Sequence, residues 1–163
     1  MKQLLSSVLT QIQETVPALK YVDENWGQLD YYGERPPVKF PCALVDIGSA
    51  QWQDTGTLAQ IGIVQVRVVV ATMKLTNTSG KAPQAQKDKA FEFFETLQNI
   101  HKALHGYQPA PHCGIITRRS CELLQNDLGI KMYELRFAVQ INDKSAMPVH
   151  ETVPKPTVRI ITV

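Results

Sequence analysis

The chain has 163 residues, enough for one domain and short for two. Seventeen Lys and Arg against fifteen Asp and Glu leave a net charge of +2. Residues 1–80 carry six basic and seven acidic side chains (−1), and residues 81–163 carry eleven and eight (+3). That balance excludes a charged tail or a steering patch for nucleic acid or anionic membrane. A hydrophobic content of 44% excludes wholesale disorder. No apolar run approaches the roughly 18–20 residues of a membrane span, and Met1-Lys2-Gln3 leads into a helix broken by Ser and Gln rather than into a signal peptide. Three cysteines, Cys42 lying far from Cys113 and Cys121, exclude a disulfide scaffold and imply free thiols in a reducing, cytosolic setting.

In chain order, Leu5, Val8, Leu9, Ile12 and Val16 recur every three or four residues and predict an amphipathic helix that Pro17 closes. Residues 18–39 read as an irregular connection, too rich in Leu19, Tyr21, Val22, Trp26, Tyr31 and Tyr32 to be a flexible linker, and broken by Gly27, Gly33 and Pro36-Pro37. Such a loop is expected to pack on the domain or to meet a partner. Phe40 to Ile47 predicts a strand with Pro41 at its start, and Gln51 to Asp54 a short second strand turning at Thr55-Gly56. Leu58 to Thr72 is the strongest strand signal, with Val64, Val66, Val68 and Val70 on one face and Gln65, Arg67 and Val69 on the other.

After a polar loop over 73–84, a second helix is expected from about Ala85 to His105. Its stripe is Ala90, Phe94, Leu97, His101 and Leu104, widened by Phe93 and Ile100, with Gly106 as the terminating glycine. Gly114 to Leu124 predicts an extended segment containing Arg118-Arg119, and Leu128-Gly129 a turn. Ile130 to Ile141 then alternates, sending Tyr133, Leu135, Phe137, Val139 and Ile141 inward and Met132, Glu134, Arg136, Ala138 and Gln140 outward. The resulting fold class is α+β: an antiparallel or mixed sheet of four or five strands with two main helices packed on it. We expect one domain over 1–142 and a proline-rich, extended C-terminal tail over 143–163.

Chemical motifs are sparse. No glycine-rich phosphate loop and no Gly-x-Ser-x-Gly elbow occurs. His101 and His105 share a helix face, with His112, Cys113 and Cys121 beyond, and such ligands suit zinc. No Cys-x-x-Cys or His-Glu-x-x-His frames them, so core and capping roles are the expectation, and the strand cysteines are expected to be buried. We therefore expect no catalytic residues, no cofactor and no metal. Arg118 and Arg119, adjacent on a strand, face opposite sides and cannot form one phosphate clamp. Trp26, Tyr31, Tyr32 and Trp52 are expected to pack the long loop or to form an interface, and a ligand pocket lined by them would instead mark a small binding or regulatory domain.

The element order resembles a known family. A helix ending near "VPALKYV", the strand "FPCALVDI" with Pro41-x-x-Leu44-Val45, the long strand "IGIVQVRVVVAT", the helix "KAFEFFETLQNIHKALHG" and the strand "KMYELRFAVQI" follow one another over residues 1–142. This order is similar to the small tail-terminator proteins of long-tailed bacteriophages, the group of lambda minor tail protein U, and to related Mu-like tail or neck proteins. The resemblance implies a virion structural protein without catalysis, made in the bacterial cytoplasm and resident in the virion tail. It implies a ring, commonly of six copies, that caps the tail tube protein and presents a surface to the head–tail connector protein, with no nucleic-acid specificity and no membrane. A ring subunit needs two unlike patches. The candidates are Trp26, Tyr31, Tyr32, Gln65, Arg67 and Arg118, together with Val158 and Ile160 in a tail that could add a strand to a sheet edge.

Overall fold

The computed structural model describes residues 1–30, 38–56, 58–73, 78–125 and 129–148. Seven elements follow in order: α1 (Lys2–Thr15), β1 (Tyr21–Glu24), β2 (Cys42–Gly56), β3 (Ala59–Met73), α2 (Gln84–Leu104), β4 (Thr117–Leu124) and β5 (Ile130–Asp143). The strands form one sheet in the order β1-β2-β3-β5-β4. Only β1 and β2 run parallel, and the other pairs are antiparallel, so the sheet is mixed and the fold is α+β.

The alternation of β3 decides which face is covered. Val64, Val66, Val68 and Val70 are completely buried, and they meet Ala43 and Val45 of β2 and Leu135, Phe137, Val139 and Ile141 of β5. Both helices pack on this face. α1 presents Leu4, Val8 and Ile12, one per turn, and Val16 just past its end joins the same core. The expected stripe is shifted: Leu4 is buried while Leu5 and Leu9 lie at the margin. α2 shifts likewise, burying Ala90, Phe93, Thr96, Leu97, Ile100 and Leu104. Phe94 is 41% exposed and His101 is half-buried, because the helix seats itself on Phe93 and Ile100 rather than on their neighbours. Gly106 closes α2 with φ +87°, and its amide donates to the Ile116 carbonyl, turning the chain toward β4.

Three further expectations are corrected. Within 18–39, Tyr21–Glu24 is a strand: four residues too few to show a period, ordered by the ladder that β2 offers. Residues 51–54 are no separate strand, since β2 runs unbroken to Gly56 with a bulge between Ile47 and Ala50. β4 starts at Thr117, not Gly114, because 113–116 bonds instead to the chain after α2 and to β5. The connection after β1 does pack. Leu29 and Val38 cover Cys42, Leu44, Ala71 and Ile130 on the sheet's second face, and Phe40 and Met132 flank them. Buried Gln28 fixes this crossing by donating to the Glu24 carbonyl (2.7 Å) and accepting from the Trp26 amide (2.9 Å). The second face is thus apolar and covered at one end, and along the rest open and mostly polar, with Ile63 exposed among Gln65 and Arg67.

Candidate interaction surfaces

The open part of the second face carries a charged ladder set by register. Asp46, Arg67 and Arg136 stand side by side on β2, β3 and β5. One residue-pair along, Glu134 and Glu122 face each other on β5 and β4. Arg67 Nε donates to Asp46 Oδ1 at 2.7 Å, Asn25 Nδ2 donates to the other oxygen at 3.1 Å, and Arg136 forks onto Glu134 at 2.9 and 3.1 Å. The hydrogen bonds from Arg136 to Glu134 raise the guanidinium pKa further. Glu134, expected on the outer face, is there, yet its side chain is only 8% exposed because the fork and the neighbouring apolar groups cover it. Asp46, Arg67, Val69 and Glu134 also line a hollow of about 200 Å³ with Asn25, Leu29 and Asp30. Three carboxylates against two guanidiniums make this a mixed polar surface, suited to another protein and not to a phosphate.

Two apolar patches lie at opposite ends of the sheet. The first is the end of the β2–β3 hairpin, where Trp52 and Leu58 are exposed; Ile63, also exposed, points to the opposite face with Gln65 and Arg67. Trp52 pairs with Gly62, and its ring covers that glycine: a Cβ built there would lie 2.5 Å from Trp52 Cε3. Leu58 holds φ +62°, a left-handed conformation that costs a non-glycine residue energy. The second patch is Phe91 and Phe94 of α2 with Leu123 of β4. The Phe94 ring packs edge-on against Tyr133 at 5.8 Å, and Lys131 Nζ sits 4.0 Å from its centroid. Tyr133 pairs with Val70, eight residues along β3 from Gly62, which separates the patches by about 27 Å along the strands. A broad trough of about 1360 Å³ lies beside the second patch, between α2 and the Met73–Ile130 end of the sheet.

The expected interface residues are divided by this geometry. Gln65 and Arg67 share the open face, Gln65 opposite the β2 bulge, and Trp26 is 46% exposed one residue from the Asn25 that anchors Asp46. Arg118 stands apart from them. It pairs with Phe137, on the helix side of the sheet, while Arg67 pairs with Arg136 on the other. A bulge at 118–120 leaves both Arg118 and Arg119 exposed. Tyr31, Tyr32, Val158 and Ile160 lie outside the described residues. Neither Trp26 nor Trp52 lines the hollow or the trough, so those two residues do not frame the ligand pocket considered from the sequence. The signals missed in the sequence were Phe91, Leu123, Leu58 and Ile63, ordinary apolar positions until the pairing shows that nothing among the described residues covers them.

The histidine and cysteine cluster does not assemble. The His101 and His105 rings lie 5.0 Å apart, tilted by 44°, but His105 Nδ1 accepts the Arg118 amide at 3.2 Å. Burial, then Arg118 and His105, lower the His101 pKa. Among the described residues no three His, Cys, Asp or Glu side chains converge as a metal site would require. Cys42 and Cys113 are buried, as expected of strand and core thiols, whereas Cys121 is exposed on the edge strand β4. Desolvation pushes the Cys42 thiol up to about 12 and raises Cys113 and Cys121 as well, so these thiols are held protonated. No helix among the described residues is long and apolar enough to cross a membrane.

No protein-family model matches the sequence, and no curated protein matches it. Among solved structures, a chain of the virion of a native gene transfer agent particle is similar at 13% identity, over 87% of this chain and 91% of that chain, with a TM-score of 0.46. A likeness of that size carries no inference about role.

Proposed function

We propose that this chain is a structural subunit of a phage or phage-derived virion, a protein that works through its surfaces and without catalysis. In this reading it assembles in the bacterial cytoplasm into a head-to-tail ring of about six copies. The ring caps the tail tube, meets the head–tail connector on its other side, and stays in the virion tail.

The tail-terminator resemblance of residues 1–142 supports this reading, and one observation carries it. The hairpin patch (Trp52, Leu58) and the α2–β4 patch (Phe91, Phe94, Leu123) differ in make-up and stand at opposite ends of the sheet. A two-fold contact needs one patch that matches itself, whereas a ring needs two different patches that match each other. The mixed charges of the Asp46–Arg67–Arg136–Glu134 face then offer a polar surface for the tube or the connector.

Size-exclusion chromatography with light scattering, run over a wide concentration range, tests the reading. It is expected to show a closed oligomer that Leu58→Asp or Phe91→Asp dissociates while the circular dichroism melt is kept, since both side chains are at least half exposed. A chain that stays monomeric at high concentration and in the presence of tail tubes refutes it. The trough beside α2 favours a second reading, a ligand-binding domain: a small molecule that shifts the melt of a strict monomer, the shift being lost in a Thr96→Trp variant that fills the trough, would support that instead.

A further inference from the structure

Beyond β1, the outer side of β2 is an open backbone edge among the described residues, as is the outer side of β4 at the other end of the sheet. β1 covers Cys42–Val45, and Asn25 adds one bond to the Val45 carbonyl. Beyond that, among the described residues, no strand lies on the outer side of Ile47–Gln53. Natural edges are shortened, charged or broken by proline. This stretch is Ile-Gly-Ser-Ala-Gln-Trp-Gln: it has no charge and no proline, and past the bulge between Ile47 and Ala50, itself an edge-blunting feature, Ala50–Gln53 is regular strand that can take an added partner.

We propose that Thr157–Val163 of one copy adds as a strand to the Ile47–Gln53 edge of a neighbouring copy. The inference rests on the assembly reading above. The segment Val158-Arg-Ile-Ile-Thr-Val163 has five β-branched residues in six, the composition that suits a strand. It lies where the chain has length to spare: fifteen residues, 149–163, follow the described part. The departure point is also favourable. β5 ends at Asp143, which pairs with Gln60, and Gln60 pairs with Asp54 of β2, so the chain leaves the sheet about 10 Å, two strand spacings, from the β2 edge. Pro154 and Pro156 bias the residues around them to extended backbone and so favour a reach outward over a tight return to the same copy. Lys155 and Arg159 bring positive charge toward Asp54 at the end of that edge.

Cysteine cross-linking in the full chain tests this. In a Cys121→Ser background, where Cys42 and Cys113 are buried, one variant carries Gln51→Cys and a second carries Ile160→Cys. Mixed and treated with a short bis-maleimide, they are expected to give a cross-linked dimer joining the two variants. Adding Arg159→Pro to the second variant removes an amide donor and is expected to reduce that dimer by about tenfold. A chain carrying both cysteines that cross-links only within itself overturns the proposal. Absence of cross-link while light scattering still shows the oligomer overturns the strand exchange and leaves the assembly reading intact. A chain that is monomeric throughout overturns both.

Discussion

Gly62→Ala puts one methyl group where the Trp52 ring now lies. Its Cβ would meet Cε3 at 2.5 Å and Cδ2 and Cζ3 at 2.7 Å, so the indole must leave the strand surface. Trp52 is 39% exposed. A tryptophan buries up to about 150–250 Å², so about 90–150 Å² is covered here, worth about 2–4 kcal/mol at about 25 cal/mol/Å². That is the ceiling, because a displaced ring recovers some contact and alanine is about 0.5–1 kcal/mol better than glycine in a strand. The expected loss is about 1–2.5 kcal/mol by urea denaturation followed by circular dichroism. The decisive comparison is the same substitution in a Trp52→Ala background. With the ring gone, Gly62→Ala should become neutral or stabilising by up to about 1 kcal/mol, a reversal of sign. An equal cost in both backgrounds would refute the close approach of ring and glycine. The same cycle reads assembly: an indole driven off the hairpin alters the patch, so the oligomer should weaken in Gly62→Ala as well.

Phe137 is 1% exposed at the centre of the sheet, under both helices, and Phe137→Ala should cost about 3–5 kcal/mol in the same denaturation assay. Breaking the Asp46–Arg67 pair should cost at most about 1 kcal/mol, because Arg67 is nearly half exposed, and a double-mutant cycle at rising salt should shrink it further. Cys121 should react first with a thiol reagent at pH 8, and Cys42 only on unfolding, followed by mass spectrometry of the labelled peptides. Cys42 also sets an alkaline slope. Its folded pKa of about 12 lies well above that of an ordinary thiol, so the folded chain holds the proton more tightly. Its contribution is fully present below pH 9 and falls as the pH rises toward 12, by at most about 1.4 kcal/mol per unit. Cys42→Ala should flatten that part of a stability-versus-pH curve.

Local pattern in the chain was enough for much of this molecule. Val64-x-Val66-x-Val68-x-Val70 and the alternation over Ile130–Ile141 name both the strands and their inward faces, since a period of two is set by the pleat and needs no partner to be read. The helical repeats, the stop at Pro17 and the left-handed Gly106 are equally local, and they suffice for an α+β class. Interfaces were less legible. Gln65 and Arg67 could be placed on one face, but Arg118 could not be assigned to the opposite one until β4 had a register and a bulge.

What the fold alone decided depends on residues far apart in sequence. β1 exists because β2 presents an edge to it, Glu134 is covered because Arg136 and its neighbours close over it, and Phe93 rather than Phe94 faces the core because the sheet fixes how α2 is rolled. Exposure of Trp52 is likewise a property of where the helices stop, and that of Ile63 of a second face left open beyond Leu29 and Val38. A side chain's period is written in its neighbours, but its surroundings are set by long-range pairing. Surface function, unlike a catalytic motif, is made almost wholly of surroundings.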